Sequence, residues 1–460
     1  MARLRSVNPA TGTELATFED DSDDTVDRKL AIARGAVTGL AYAGLPRRAQ
    51  WMRAAADLLE SELDEVARNI TREMGKPVAQ SRAEVAKSAH TMRYYADHAQ
   101  TFLTGRSLDD PSVVGASAAG TRFEPLGVVL AVMPWNYPIW QVVRFAAPAL
   151  MAGNAAVLKH ASNVPQTAVY LGDLFTRAGF PEGAFGTLLI GSSRVARVIR
   201  DPRVAAVTLT GSESAGRAVA ATAGDVLKKV VLELGGSDAF IVMPSADIDA
   251  AAASAVKART LNNGQACINA KRFIVHDDVY DEFAGKFAAG LKSLTVGDPA
   301  DPTTDIGPLA TESGRSDLEE LVADARAKGA QIVVGGRRPG QAHGWFYAPT
   351  LIAGITEDMR LFAEEAFGPV ASLYRVASLT DALALANGID FGLGAAFWSA
   401  DQDEIDVAVR LLQSGAVFVN GLATSYAELP FGGVKRSGYG RELSVEGIRE
   451  FCNLKTVWVA

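Results

Sequence analysis

Cysteine is nearly absent: Cys267 and Cys452 are the two in 460 residues. So few thiols exclude a disulfide framework and a cysteine-ligated zinc site, and they fit a reducing compartment, the cytoplasm. None of the five histidines falls in an H-E-x-x-H or other ligand spacing, so no metal is expected. Long hydrophobic runs are missing as well. The most apolar stretch, Phe145 to Leu158, is interrupted by Pro148, Gly153 and Asn154 and falls short of the roughly 20 residues a bilayer span needs. Met1 to Gly12 carries Arg3 and Arg5 with no apolar segment behind them, so neither a signal peptide nor a membrane partner is expected. Positive charge is short too. Lys and Arg number 45 against 53 Asp and Glu, a net charge of −8, and without a basic footprint nucleic acid is not an expected partner. The G-x-G-x-x-G fingerprint is also lacking. Thr210-Gly211-Ser212-Glu213-Ser214-Ala215-Gly216-Arg217 comes near a P-loop, but Arg217 and Ala218 stand where Lys and Ser or Thr are needed, which disfavours magnesium–nucleotide chemistry.

What is present reads as an ordinary folded chain, 48% hydrophobic and 21% charged, too long for one core and so expected to form two or three domains. Asn8-Pro9-Ala10-Thr11-Gly12 is a turn signal, and the acidic stretch Glu19 to Asp24 caps a helix expected from about Thr25. From Arg47 to Ala99 apolar residues such as Ala54, Leu58, Leu59, Leu63 and Val66 recur at three and four, an amphipathic helical pair broken at Gly75-Lys76-Pro77. Residues 105–124 lose that period and read as a protruding hairpin or an irregular crossing.

From Pro125 short apolar runs alternate with helical stretches. The runs are Gly127–Met133, Ala155–Leu158, Val204–Leu209 and Val230–Leu234; the helices are Val164–Gly179 and Gly216–Lys228. That alternation indicates a parallel sheet buried on both faces. A second series follows Gly235-Gly236, a candidate hinge: Ala239–Met243, Arg272–Val275, Gln331–Val334, Ala371–Val376 and Ala416–Val419. Phe451 to Val459 reads as a strand with no partner nearby, placed to pair with another domain or subunit.

Several short stretches carry chemistry, each with a plainer alternative. Cys267, in Asn262-Asn263-Gly264-Gln265-Ala266-Cys267, follows a helical segment broken by amides and Gly264. It is a nucleophile if its thiolate is favoured, or else a small buried hydrophobe. Asn136, between Pro134 and Pro138, either donates to an oxyanion or caps a loop. Glu233 ends an apolar strand, where burial would raise its pKa and make it a general base; the alternative is a structural ion pair. Lys159 ends another strand, where ligands bind in open α/β sheets, or is a solvated edge cation. The turn Thr210-Gly211-Ser212 either cradles a phosphate at a helix N-terminus or is an ordinary strand-to-helix turn.

Taken together these stretches resemble the aldehyde dehydrogenase superfamily. The resemblance is carried by Pro134-Trp135-Asn136, Lys159 with Ser162, Thr210-Gly211-Ser212, Glu233-Leu234-Gly235-Gly236, Gly264-Gln265-Ala266-Cys267, Glu365-Ala366-Phe367-Gly368-Pro369 and Pro430-Phe431-Gly432-Gly433-Val434-Lys435, blocks in the family's order over almost the whole chain. Within the family, Trp140 to Pro148 and the tail from Gly438 to Val459 are most similar to the shorter bacterial succinate-semialdehyde dehydrogenases.

The resemblance implies an α/β architecture of three parts: a Rossmann-like cofactor-binding domain over 1–104 and 125–235, a second α/β catalytic domain over 236–440, and a small β oligomerisation element from 105–124 and 441–460 that gives a homodimer or homotetramer. It implies that Cys267 attacks the aldehyde, that Asn136 and the Cys267 backbone N–H hold the oxyanion, and that Glu233 activates water. Trp135, Lys159, Ser162, Gly211, Ser212, Leu234, Glu365 and Phe367 would hold the nicotinamide cofactor. Many NAD-preferring members carry a glutamate where this chain has Ser162; a hydroxyl does not repel a 2′-phosphate, so NADP is the expected cofactor and NAD the weaker alternative. Asn269 stands where some succinate-semialdehyde dehydrogenases have a second cysteine, which removes that local redox switch. For the substrate's carboxylate, Arg144 is the candidate cation, with a structural salt bridge as its alternative; Ser425 and Tyr426 supply hydroxyls. The expected reaction is oxidation of succinate semialdehyde to succinate through a thiohemiacetal and a thioester on Cys267. The alternatives are another small aldehyde (glutarate semialdehyde or an aliphatic one), a cofactor-independent cysteine hydrolase, and a non-catalytic protein on the same fold.

Overall fold

The computed structural model describes residues 3–341 and 343–460, and it gathers the alternating strands into two sheets. The first has six strands in the order Gly438–Tyr439, Lys229–Glu233, Val204–Thr210, Val128–Met133, Ala155–His160 and Phe185–Thr187. All of its neighbours run parallel except the short Gly438–Tyr439 edge, where Gly438 pairs with Glu233. The second has seven: Gln331–Val334, Thr350–Ala353, Val370–Val376, Ala270–His276, Asp238–Val242, Gly394–Trp398 and Ala416–Val419. Only its Gln331–Val334 edge is antiparallel. The expected α/β fold is what forms. Ala155–His160 is buried at every position and Val128–Met133 at all but one, as strands covered on both faces must be.

Helices in 23–102 cover the first sheet and share one apolar core with it. Ser22 starts the first of them by accepting the Thr25 N–H (3.1 Å), with Asp23 and Asp24 in the first turn, where carboxylates complement the helix dipole. Asp23–Ser61 is kinked at Gly44 (φ 70°). The expected break falls between Leu63–Met74 and Val78–Phe102, where Gly75 caps the former in the left-handed conformation (φ 78°). A Cβ there would lie 2.8 Å from the Pro308 carbonyl oxygen, so glycine is required twice over.

The terminal strand Cys452–Val459 has its partner within the chain. It pairs antiparallel with Ala118–Pro125, from Cys452 opposite Pro125 to Val459 opposite Ala118. Residues 105–124 combine both expected forms, since Leu108 and Arg106 also bond back to Ala119 and Thr121. After Phe431 the chain leaves the second sheet; Gly438–Tyr439 joins the first, and the helix Ser444–Glu450 packs on Trp140–Ala152. Among the described residues no helix is long and apolar enough to cross a membrane.

Parallel strands of the first sheet deliver their carboxyl ends side by side. Met133 pairs with His160, and Thr210 with Glu233. The turns bearing Pro134–Asn136, Lys159–Ser162, Thr210–Ser212 and Glu233–Gly236 therefore share one rim, the edge at which open α/β sheets bind ligands.

Candidate active site

The loop carrying Cys267 is held by its own amides. The helix Ile248–Thr260 ends, and Asn262 (φ 57°), Asn263 (φ 57°) and Gly264 (φ 76°) follow in left-handed conformation, which asparagine tolerates better than most side chains. A Cβ on Gly264 would come within 2.3 Å of the Gly368 carbonyl carbon, so this glycine lets the Cys267 and Glu365–Pro369 loops close on each other. The Asn262 amide donates to the carbonyls of Asn136 (2.7 Å) and Gln265 (3.0 Å), and the Asn263 amide to those of Gly75 and Pro308 (both 2.9 Å). Lys271 donates to the carbonyls of Ala266 (2.9 Å) and Cys267 (2.5 Å), and pairs with Glu365 at 3.0 Å. Asn269 donates to the Leu261 carbonyl (2.8 Å), a second use for the side chain that occupies the switch position.

Asn136 is 3% exposed, and its amide donates to the Gln265 carbonyl (2.9 Å), which leaves one of its two N–H bonds for another acceptor. Two groups outside the sequence motifs hold its loop. His160 is buried; its Nε2 donates to the Pro138 carbonyl (2.9 Å) while Nδ1 accepts the Ala161 N–H (2.9 Å). Burial pushes the ring down to about 4, so this histidine is neutral and serves as a brace. Glu84 accepts the N–H groups of Ile139 (2.9 Å) and Trp140 (3.0 Å) and forms an ion pair with Lys76, both side chains fully buried.

Glu233 is closed off from solvent, whereas Cys267 is half-buried at the walls of two cavities. Burial pushes the Cys267 thiol up to about 12, with Lys271 and Arg144 opposing, so the resting cysteine holds its proton. Glu233 is 1% exposed, and neither carboxylate oxygen has a hydrogen-bond partner among the described residues. Burial, reinforced by the charge of Glu442, holds its carboxyl well above the usual range. Glu442 carried no signal in the sequence. The antiparallel edge at Gly438–Tyr439 and the bonds between the Phe431 and Glu442 backbones carry it into the site.

Cys267 lies where two cavities meet. One, with an open volume of about 730 Å³, is lined by Trp135, Asn136, Gly211, Ser212, Leu234, Glu365 and Phe367. The other, of about 840 Å³, is lined by Lys87, Tyr137, Trp140, Arg144, Ser425 and Phe431. On the first side Trp135 and Phe367 meet edge to face at 5.7 Å, and Ser212 caps the helix Glu213–Asp225, accepting the Ala215 N–H at 3.3 Å. Ser162 is exposed and, like Lys159, lies beyond the lining of this cavity. Lys159 is 8% exposed on an interior strand, which is not the setting of a solvated edge cation, and burial alone depresses its ammonium. A buried cation with no ion pair among the described residues, at the same rim of the sheet as the helix N-terminus at Ser212 and the aromatic pair, suits a phosphate-bearing dinucleotide.

On the second side Arg144 reaches the wall, but its guanidinium pairs with Glu442, bonds to Thr210 Oγ1 (3.3 Å) and lies 4.8 Å from the Phe431 ring centre. Ser425 lines this cavity, whereas Tyr426 lies in a shallower groove with His90 and Glu428. Lys87, not singled out in the sequence, lines both.

A model of the aldehyde dehydrogenase family matches residues 2–457. The chain is 56% identical over 457 residues to an NADP⁺-dependent succinate-semialdehyde dehydrogenase of Mycobacterium tuberculosis, covering 99% of this chain and all of that one. It is 57% identical to a protein of the same name from Mycobacterium avium, covering 99% and 96%. A succinic semialdehyde dehydrogenase from Streptococcus pyogenes, solved with NADP⁺, superposes with a TM-score of 0.95 at 36% identity, over 99% of each chain.

Proposed function

The chain belongs to the aldehyde dehydrogenase family, and from that premise we propose that it oxidises succinate semialdehyde to succinate with NADP⁺. The observation that carries this reading is the position of Cys267 at the junction of a cavity fit for a dinucleotide and a cavity with cationic walls. The names of the mycobacterial and streptococcal relatives support the substrate and the cofactor.

In this reading the aldehyde enters from the Arg144 side, and the Cys267 sulfur adds to its carbonyl carbon as the thiol proton passes to water in the open cavity that the half-buried cysteine lines. The alkoxide that forms accepts hydrogen bonds from the free Asn136 N–H and the Cys267 backbone N–H, donors fixed before the charge develops. The nicotinamide, when bound, supplies a hydride acceptor. Cys267 then carries a thioester, and Glu233, once ionised, takes a proton from the water that attacks it; succinate leaves and the thiol is restored. Trp135, Gly211, Ser212, Leu234, Glu365 and Phe367 position the cofactor, with Lys159 and Ser162 at its 2′-phosphate. Lys271 holds Glu365 and the Cys267 carbonyl in register.

We assign 1–104 and 125–235 to cofactor binding and 236–440 to catalysis, and 105–124 with 441–460 to assembly as a homodimer or homotetramer. The exposed Leu454, Trp458 and Val459 on the terminal strand support the last assignment. Two cysteines outside any disulfide fit work in the cytoplasm. Initial rates at 340 nm with succinate semialdehyde test the reading. NADP⁺ reduction faster than NAD⁺ reduction is expected. No reduction of either, with turnover of another aldehyde, removes this substrate; ester hydrolysis without aldehyde oxidation returns the hydrolase alternative.

A further inference from the structure

The substrate-side cavity contains more cation than its own anions neutralise, and the surplus resides on one side chain. Arg144 is 3% exposed and paired with Glu442. Glu84 is committed to Lys76 and to two backbone N–H groups. Lys87 is half-buried on the same helix face as Glu84, its Nζ 4.2 Å from the Trp140 ring centre. Its one hydrogen bond among the described residues is to Ser425 Oγ, at 3.0 Å, so two of its three N–H donors remain for a ligand. The helix is fixed to the nucleophile's loop: Gln80, two turns earlier, accepts the Asn262 N–H (2.7 Å). Lys87 and Cys267 therefore face one cavity from two elements tied together.

We infer that Lys87 is the cation that receives the carboxylate of the semialdehyde, with Ser425 as its hydroxyl partner, while Arg144 supplies field from behind its pair with Glu442. This rests on the succinate-semialdehyde reading and names its specificity-determining residue. An ammonium seated on an indole face is partly desolvated and holds its charge close to the apolar wall; a carboxylate arriving there gains a charge-assisted contact that an uncharged aldehyde lacks.

The other ionisable groups around Lys87 are Glu84 and His90 on its own helix, Arg144 on the helix Trp140–Ala152, Tyr137 before that helix, Cys267 across the cavity, and Tyr426 and Glu428 in the loop carrying Ser425. Burial, aided by Arg144 and opposed by Glu84 and Glu428, brings the lysine down to about 8. Its charge is present below that pH and lost above it, while the substrate's carboxylate stays ionised throughout.

The test compares kcat/KM for succinate semialdehyde with that for butanal, the uncharged aldehyde of the same chain length, in wild type, Lys87→Met and Lys87→Arg. A general folding defect lowers both values and leaves their ratio alone. The ratio is expected to fall on the order of ten- to a hundredfold in Lys87→Met, mainly through the KM of the semialdehyde, and to return in Lys87→Arg. In wild type it falls as pH rises through about 8, a readout that needs no variant, and this fall is absent in Lys87→Arg. A wild-type ratio maintained in Lys87→Met, or flat from pH 7 to 9.5 in wild type, overturns the assignment to Lys87 alone. A wild-type enzyme that does not favour the semialdehyde over butanal overturns the substrate reading, and this assignment with it.

Discussion

Arg144 and Glu442 form an ion pair whose side chains are 3% and 2% exposed, and the Glu442 carboxylate adds its charge to the burial that raises Glu233. The pair thus sits between the cavity wall and Glu233, the proposed general base. Breaking a pair of this burial from one side strands a charge and costs roughly 3–5 kcal/mol. Arg144→Leu is therefore expected to lower the melting temperature strongly, and Arg144→Leu with Glu442→Leu to recover much of the loss, because no charge is then stranded. Thermal unfolding of the two variants checks this. A double variant no more stable than Arg144→Leu would leave the guanidinium's other contacts as its main contribution. If Arg144→Leu keeps activity with an unchanged KM for the semialdehyde, the arginine has no part in binding the carboxylate.

Glu233 is the group whose ionisation should govern turnover. Its raised carboxyl is protonated, and no base, until the pH passes its own pKa. Deacylation is accordingly expected to be faster at pH 8 than at pH 6, and a burst of NADPH ahead of a slow steady state should appear as the pH falls. Glu233→Gln removes the base at every pH: the burst persists and the steady state drops by roughly 10²–10⁴-fold. Stopped-flow absorbance at 340 nm separates the phases. Loss of the burst together with the steady state would place Glu233 before thioester formation.

Most strands of the first sheet were legible along the chain because they are apolar runs ending in glycine, proline or a polar turn, and the turns at their carboxyl ends are where ligand residues collect. Gly394–Trp398 was not, since Gly-Ala-Ala-Phe-Trp is short and its small residues give no period. Gly438–Tyr439 is two residues long, so the return that brings Glu442 to Glu233 left no pattern. Lys87 and Lys76 read as polar positions on an amphipathic helix or at its break. Only the packing of Trp140 against Lys87, and of Tyr137 and Glu84 around Lys76, converts one into a cavity wall and the other into a buried cation. For Arg144 the salt bridge stood as the alternative to a substrate contact, but its partner, Glu442, lies far along the chain and left no pattern.

Lys76 illustrates how far such a buried cation reaches. It pairs with Glu84, its Nζ lies 3.7 Å from the Tyr137 ring centre, and Glu84 anchors the start of the helix that follows Asn136. Lys76→Met leaves the Glu84 carboxylate buried without its partner, at a cost of roughly 3–5 kcal/mol, and loosens the turn that aims the oxyanion donor. Lower kcat and lower melting temperature are expected together. Adding Glu84→Gln, which removes the stranded charge, should restore stability ahead of kcat, since the amide holds the backbone N–H groups more weakly than a carboxylate. Recovery of both in step would separate the Asn136 turn from this ion pair.

Ser162 offers the sharpest separation of cofactor from chemistry. It follows the strand bearing Lys159, is exposed, and lies outside the lining of both cavities that Cys267 joins. A carboxylate introduced there meets a 2′-phosphate with like charge, at a cost of several kcal/mol when the two are juxtaposed, and meets the ribose hydroxyls of NAD⁺ as a hydrogen-bond acceptor. Ser162→Glu is thus expected to raise the KM for NADP⁺ by roughly tenfold or more, to lower that for NAD⁺, and to leave kcat at saturating NAD⁺ close to the wild-type value. Lys159→Met removes the attractive cation and should raise the NADP⁺ KM more than the NAD⁺ KM. If Ser162→Glu weakens both cofactors equally, the side chain shapes the turn and does not read the phosphate, and the wild-type preference must then come from Lys159 and the helix N-terminus at Ser212.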